Sequence, residues 1–171
     1  MGGRERAGFD AWVDADRVRL QRLARALTRD DHDAEDLLAE TWSRVFDAWG
    51  RIDGRGPGAY ATTVMARLAQ RWRVRHAMGQ VRVRDRAVLD GTGVTAGDRE
   101  DHLVVRAGVR DLPPRQRAVV VLRYLCDQSV EDTAAALEIS AGTVKSQTSK
   151  ALRTLASQLA ALDPAYEREH R

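Results

Sequence analysis

The stretch from Leu112 to Leu159 constrains this chain more than any other: LPPRQRAVVVLRYLCDQSVEDTAAALEISAGTVKSQTSKALRTLASQL. Ser129-Val130-Glu131-Asp132 is a Ser-x-x-Asp helix start, in which the Ser129 oxygen can accept an orphan backbone N–H. Val130, Ala134 and Leu137 then recur at helical spacing. Glu138-Ile139-Ser140 breaks the pattern, and Ser140 is a second N-cap. Val144, Thr148, Ala151 and Leu155 line one face of the helix that follows. Two short amphipathic helices joined by a tight turn make a helix-turn-helix. Ser146, Ser149, Lys150 and Arg153 lie opposite the apolar stripe of the second helix, and Thr143, Lys145 and Gln147 fall in its N-terminal part. Small polar and cationic side chains suit a helix lying in a DNA major groove, with its N-terminal residues at base edges and its cations at phosphates. A merely solvated helix face is the other reading.

The 171 residues suffice for one ordinary domain or two small ones. A hydrophobic share of 43% allows real cores. The net charge of +3 is too small by itself to argue for a polyanionic partner, so the placement of the cations decides. A single cysteine, Cys126, excludes an intrachain disulfide framework and fits a reducing compartment. Neither a membrane-length apolar run nor an apolar signal core in Met1 to Asp10 is seen, so the expected location is cytoplasmic, without membrane insertion.

In chain order, Phe9 to Leu27 reads as a helix with Phe9, Trp12, Val13, Leu20, Leu23, Ala24 and Leu27 close to one side. Asp33 is expected to cap a second helix, with Glu35 and Asp36 complementing its dipole. Leu38, Trp42, Val45, Phe46 and Trp49 form that helix's stripe. GRIDGRGPG, residues 50–58, must be a loop. Pro57 starts a third helix reaching about His76. Tyr60, Val64, Leu68 and Trp72 should face its core, beside a row of Arg67, Arg71 and Arg75 extended by Arg73 and His76. An arginine row with an embedded tryptophan suits melted nucleic acid, by phosphate contact and base stacking. Trp72 as a plain core residue is the bland alternative.

Gln80 to Glu100 has linker composition. A helix near Asp101 to Asp111 follows, carrying Leu103, Val104 and Ala107, and Leu112-Pro113-Pro114 ends it. Another, from about Arg115 to Leu125, holds Val119, Leu122 and Leu125. Asp163-Pro164 stops the last helix near Leu162, and a mobile polar tail, residues 163–171, remains. The fold class is therefore all-α: two small helical domains, residues 9–78 and 101–162, joined by a flexible linker over 79–100, with the helix-turn-helix in the second.

No catalytic constellation emerges. His32, His76, His102 and His170 are scattered, so no metal site is predicted. The glycines of residues 50–58 do not make a phosphate-binding Gly-x-x-x-x-Gly-Lys loop, and no cofactor is indicated. Cys126 reads as a buried helical core residue, and the acidic run Asp30, Asp31, Asp33, Glu35 and Asp36 as a helix start or protein-docking surface. The chain is not expected to be an enzyme.

Together the two halves resemble the sigma-70 family of bacterial RNA polymerase sigma factors, in its small extracytoplasmic-function type. LPPRQRAVVVLRY and EISAGTVKSQTSKALRTL look like the family's region 4; DAEDLLAETWSRVFDAW and the arginine-rich third helix look like region 2. The resemblance implies a factor that binds core RNA polymerase and directs promoter-specific initiation. Asp36, Glu40 and Arg44 would dock on the clamp helices of the β′ subunit. The helix from Ala59 to His76, with Arg67, Arg71, Trp72, Arg73 and Arg75, would read and open the −10 element of promoter DNA. Thr143, Lys145, Ser146, Gln147, Ser149 and Lys150 would read the −35 element. Region 4 would also meet the polymerase β flap, and an anti-sigma factor is a further implied partner. Two departures stand out. Met65-Ala66-Arg67 lacks the asparagine many relatives carry there, and Glu138 stands where the family's turn usually has glycine. Region 3 and an appended C-terminal domain are not expected. An autonomous helix-turn-helix regulator is the competing reading, but it would need a ligand or dimerisation domain in the N-terminal half.

Overall fold

In a computed structural model, the structure describes residues 3–52, 54–76 and 96–162, with side chains over 5–52, 54–71 and 104–161. The chain divides into two compact units, Met1–Arg82 and Val83–Arg171. Among the described residues every regular element is helical.

The first unit packs three long helices: α1 (Gly3–Leu27), α2 (Asp31–Ala48) and α3 (Gly56–His76), with a 3₁₀ turn, Trp49–Arg51, after α2. Apolar residues spaced three and four apart put Leu20, Leu23, Ala24 and Leu27 of α1 inside, against Leu37, Leu38 and Val45 of α2 and Ala61, Met65, Ala66 and Leu68 of α3. Each fully buried leucine contributes about 1.5–3 kcal/mol by leaving water. A second apolar cluster staples α1 to the end of α2. Phe9 meets Phe46 edge-on at 5.1 Å and Trp49 at 5.2 Å, and Trp12 lies 5.5 Å from Trp49.

Two expectations change here. Asp30, not Asp33, caps α2: its side chain accepts the Asp33 N–H at 2.7 Å, and Asp31 and Asp33 occupy the first turn. In a run of four aspartates among seven residues, the cap is chosen by where the chain leaves α1, which Thr28 fixes by donating its hydroxyl to the Ala24 carbonyl at 2.8 Å. Nor does the Tyr60/Val64/Leu68 stripe face the core as a set. Leu68 is buried and Val64 half-buried, but Tyr60 is exposed. A strict four-residue repeat drifts about 40° per step around a 3.6-residue helix. The buried face is instead carried by Ala61, Thr62, Met65, Ala66 and Leu68.

In the second unit, α4 (Ala96–Asp111), α5 (Pro114–Val120), a single π-turn (Val121–Leu125) and α6 (Val130–Leu137) pack about α7 (Ala141–Leu162). The α4 helix begins at Ala96 and not near Asp101, so the last part of the expected linker is helix; residues 79–95 and the tail 163–171 lie outside the described residues. Leu112, Val120 and Ala151 form the buried junction, with Val109 and Leu155 packed on it. Gly108 permits the close α4–α7 approach: a Cβ there would stand 2.9 Å from Leu155 Cδ2. Ala107, expected on the core side, is exposed.

Leu112-Pro113-Pro114 does end α4, and Pro114 opens α5. A residue the sequence reading passed over holds this corner. Arg117, 3% exposed, donates through Nη2 to the Arg110 carbonyl at 2.5 Å and the Leu112 carbonyl at 2.9 Å. A cation there meets the negative end of the α4 dipole and carbonyls that α4 leaves open.

The π-turn overturns two further expectations. Cys126 N–H bonds to the Val121 carbonyl five residues back, at 3.0 Å. The wider turn advances each side chain by a smaller angle, so Leu125 swings out to 59% exposure while Val119 and Leu122 stay fully buried. Cys126 leaves the helix altogether and is half-buried. Arg123 then closes the loop by donating to the Gln128 carbonyl.

Candidate nucleic-acid interface

The helix-turn-helix is built as the capping residues dictate. Ser129 Oγ accepts the Asp132 N–H at 2.9 Å and donates to Asp132 Oδ2 at 2.8 Å, which joins the N-cap to the third helical residue. Glu138 ends α6 in the left-handed region, φ 56° and ψ 44°, where glycine is the low-cost residue. Ser140 Oγ then accepts the Thr143 N–H at 3.0 Å and starts α7.

Val144 and Ala151 of α7 are fully buried, with Thr148 and Leu155 partly buried between and beyond them. The opposite face presents Lys145, Ser146, Ser149, Lys150 and Arg153 to solvent. Thr143 and Gln147 sit half-buried on its flank. Two of the small polar side chains are partly committed to the backbone or to each other: Ser146 donates to the Thr143 carbonyl at 3.0 Å, and Thr143 Oγ1 shares a 2.8 Å hydrogen bond with Ser140. Of the six residues predicted for this helix, Lys145, Ser146, Ser149 and Lys150 are thus exposed, with Thr143 and Gln147 half-buried beside them.

In the first unit, Arg71 is exposed and Arg67 half-buried on α3. Trp72, Arg73 and Arg75 continue the α3 backbone, but their side chains fall outside the described residues. Tyr60 lies on the Arg67–Arg71 side of α3, two and three turns before them. Sequence reasoning assigned it to the core; its signal was the spacing of seven and eleven residues to those arginines. Met65 and Ala66, the positions before Arg67, are fully buried.

On α2, Asp36, Glu40 and Arg44 follow one another at four-residue steps along a single ridge. Arg44 pairs with Glu40 at 2.8 Å, and His32 stands 3.6 Å from Asp36. At this exposure such pairs add little stability. Arg17 of α1 lies over the half-buried Trp42 ring at 5.5 Å. Among the described residues no three metal-ligating side chains converge, and no helix is long and apolar enough to cross a membrane.

These two surfaces coincide with two family patterns. Residues 12–78 match sigma-70 region 2, and residues 103–155 match sigma-70, region 4. The chain is 37% identical over 170 residues to the RNA polymerase sigma-E factor of Streptomyces avermitilis, covering 95% of this chain and 93% of that one. This protein belongs to the sigma-70 family, as an extracytoplasmic-function-type sigma factor. It is also 30% identical over 162 residues to the sigma factor SigM of Mycobacterium tuberculosis, covering 93% and 81% of the two chains. The fold is that of a solved sigma factor, RpoE of Bartonella quintana in complex with the anti-sigma factor NepR: TM-score 0.72 at 22% identity, covering 89% of this chain and 96% of that one. The sigma factor therefore serves transcription initiation with RNA polymerase, and the autonomous-regulator reading is not favoured.

Proposed function

We propose that the two units of this sigma factor divide promoter reading between them. The α7 helix takes the −35 element through Thr143, Lys145, Ser146, Gln147, Ser149 and Lys150. The α3 helix takes the −10 element through Arg67, Arg71, Trp72, Arg73 and Arg75, with Tyr60 added to that set. The α2 ridge of Asp36, Glu40 and Arg44 meets the polymerase β′ clamp helices, while the second unit meets the β flap. The observation that carries this reading is the α7 face: its cations and small polar groups stand opposite a fully buried Val144/Ala151 stripe. A helix held by one side and bare on the other fits the major groove. Domain limits of 9–78 and 101–162, the second extended back to Ala96 where α4 begins, with a tether between, fit this division. Tethering raises the effective concentration of the second contact once the first is made, so each is weak alone.

The chain makes or breaks no bond in this scheme; it works in the cytoplasm and the polymerase supplies the catalysis. An anti-sigma factor holds it inactive until needed, as the NepR complex of the Bartonella protein illustrates for that relative. Run-off transcription with purified core polymerase tests the reading. Specific initiation that depends on this chain is expected, on promoters recovered by genome-wide selection. Absence of initiation, with no complex formed with core, would remove it.

A further inference from the structure

A glycine-rich loop delivers the chain into α3. Gly54 and Gly56 both adopt positive φ, 62° and 78°, and a Cβ built at either meets nothing within 4 Å. The loop is bounded at both ends. Its entry is the 3₁₀ turn Trp49–Arg51, closed by the Ile52 N–H on the Trp49 carbonyl at 3.5 Å. Beyond its exit, α1 reaches across to Gly58 in the first turn of α3.

Asp16 and Arg19 lie one turn apart on α1. Arg19 grips the Asp16 carboxylate with two parallel bonds, Nε to Oδ1 at 2.7 Å and Nη2 to Oδ2 at 2.6 Å. The guanidinium so fixed donates from Nη1 to Thr62 Oγ1 at 3.1 Å and from Nη2 to the Gly58 carbonyl at 3.1 Å. Thr62, 4% exposed, completes the circuit by donating its own hydroxyl to the Gly58 carbonyl at 2.9 Å. A Cβ at Gly58 would press to 3.2 Å from Asp16 Oδ2 and 3.3 Å from Arg19 Nη2. The site therefore leaves a side chain at 58 crowded against the clamp, accepts a planar fork at 19 and uses both the donor and the acceptor of the Thr62 hydroxyl. An ammonium has one point of charge and cannot span these partners.

We propose that Asp16, Arg19 and Thr62 form a clamp of positioning residues that sets the first turn of α3 for opening the −10 element. Arg19 does not itself bind DNA in this role, because its charge is matched by Asp16. The clamp fixes where α3 begins, and hence where Tyr60, Arg67 and Arg71 stand when the strands separate. This rests on the assignment of α3 to the −10 element made above.

The test uses full-length chain with core polymerase and a promoter fragment recovered by the genome-wide selection, carrying a fluorescent base analogue in its −10 element. Opening is followed on the duplex and on the same fragment pre-melted across that element. T62V is expected to slow duplex opening about tenfold, the loss of one charge-assisted hydrogen bond, and R19A, which loses the bonds to both Thr62 and Gly58, by at least as much. R19K should remain slow, and T62S, which keeps the hydroxyl, should restore the wild-type rate. Core affinity and protection at −35 should be unchanged in all four, and binding to the pre-melted fragment should fall less than the opening rate. G58A should slow opening as well, and its effect should not add to that of R19A, since both break one circuit. Wild-type opening rates in R19A and T62V would overturn the clamp while leaving the assignment of α3 intact. So would an equal loss of core affinity and opening, which would make the circuit a brace for the whole bundle. A wild-type protein that protects −35 but leaves the −10 analogue unchanged would remove the α3 assignment itself, and the clamp with it.

Discussion

The two units set the positions of their helices by opposite means. In the first, the long α1, α2 and α3 are aligned by side chains that reach between them: the Phe9–Trp12–Phe46–Trp49 cluster at one place and the Asp16–Arg19–Gly58–Thr62 circuit at another. In the second, the seven-residue α5 and eight-residue α6 are too short to persist alone and are set by their ends. Ser129 and Ser140 cap, Glu138 turns in the left-handed region, the π-turn re-aims the chain, and buried Arg117 seals a corner. The difference teaches where each unit is vulnerable. The first depends on contacts between distant residues, the second on the backbone geometry of a few linking ones.

Changes that strike only one unit sharpen that contrast. The largest effect is expected from Arg117→Ala. It leaves the Arg110 and Leu112 carbonyls without this donor in a buried corner and opens a cavity, at a cost of about 3 kcal/mol. Calorimetry should show the second unit melting earlier while the first is unmoved; a uniform fall in both would break the distinction between the units. Next, Lys145→Ala with Lys150→Ala should weaken binding to a −35 duplex at least about tenfold and flatten its salt dependence by about two charges. The corresponding change, Arg71→Ala, should leave −35 protection intact and impair −10 binding or opening. A smaller loss, about 1 kcal/mol, is expected for Ser129→Ala, read by denaturant unfolding of the second unit. The smallest effect has the opposite sign: Glu138→Gly should stabilise that unit by up to about 1 kcal/mol, because glycine adopts φ near 56° without a Cβ penalty. If Glu138→Gly destabilises it instead, the turn is held by the glutamate side chain and not merely tolerated.

The capping box, the break at 138–140 and the second cap at Ser140 were legible because each is a local exchange between residues three apart. So was the polar face of α7, since a 3.6-residue period sorts Val144 and Ala151 from Lys145, Ser149 and Lys150. The failures fall where a periodic reading must choose a phase or assume one winding. Tyr60 was assigned to the core by a four-residue repeat that α3 does not follow. Leu125 and Cys126 were placed in an α-helix that widens into a π-turn just before them. Among four nearby aspartates, the cap of α2 went to the wrong one.

By itself the sequence determined that the chain is helical, in two parts, with a helix-turn-helix and a resemblance to sigma factors, because periodicity, caps and breakers act over a few residues. Only the tertiary structure decided the Arg117 corner, the Arg19 circuit and the face on which Tyr60 stands. Those depend on which carbonyls and hydroxyls arrive beside a guanidinium from 5 to 43 positions away, and on how neighbouring helices select one side of α3. A charged side chain carries no local mark of the partner that packing will bring to it.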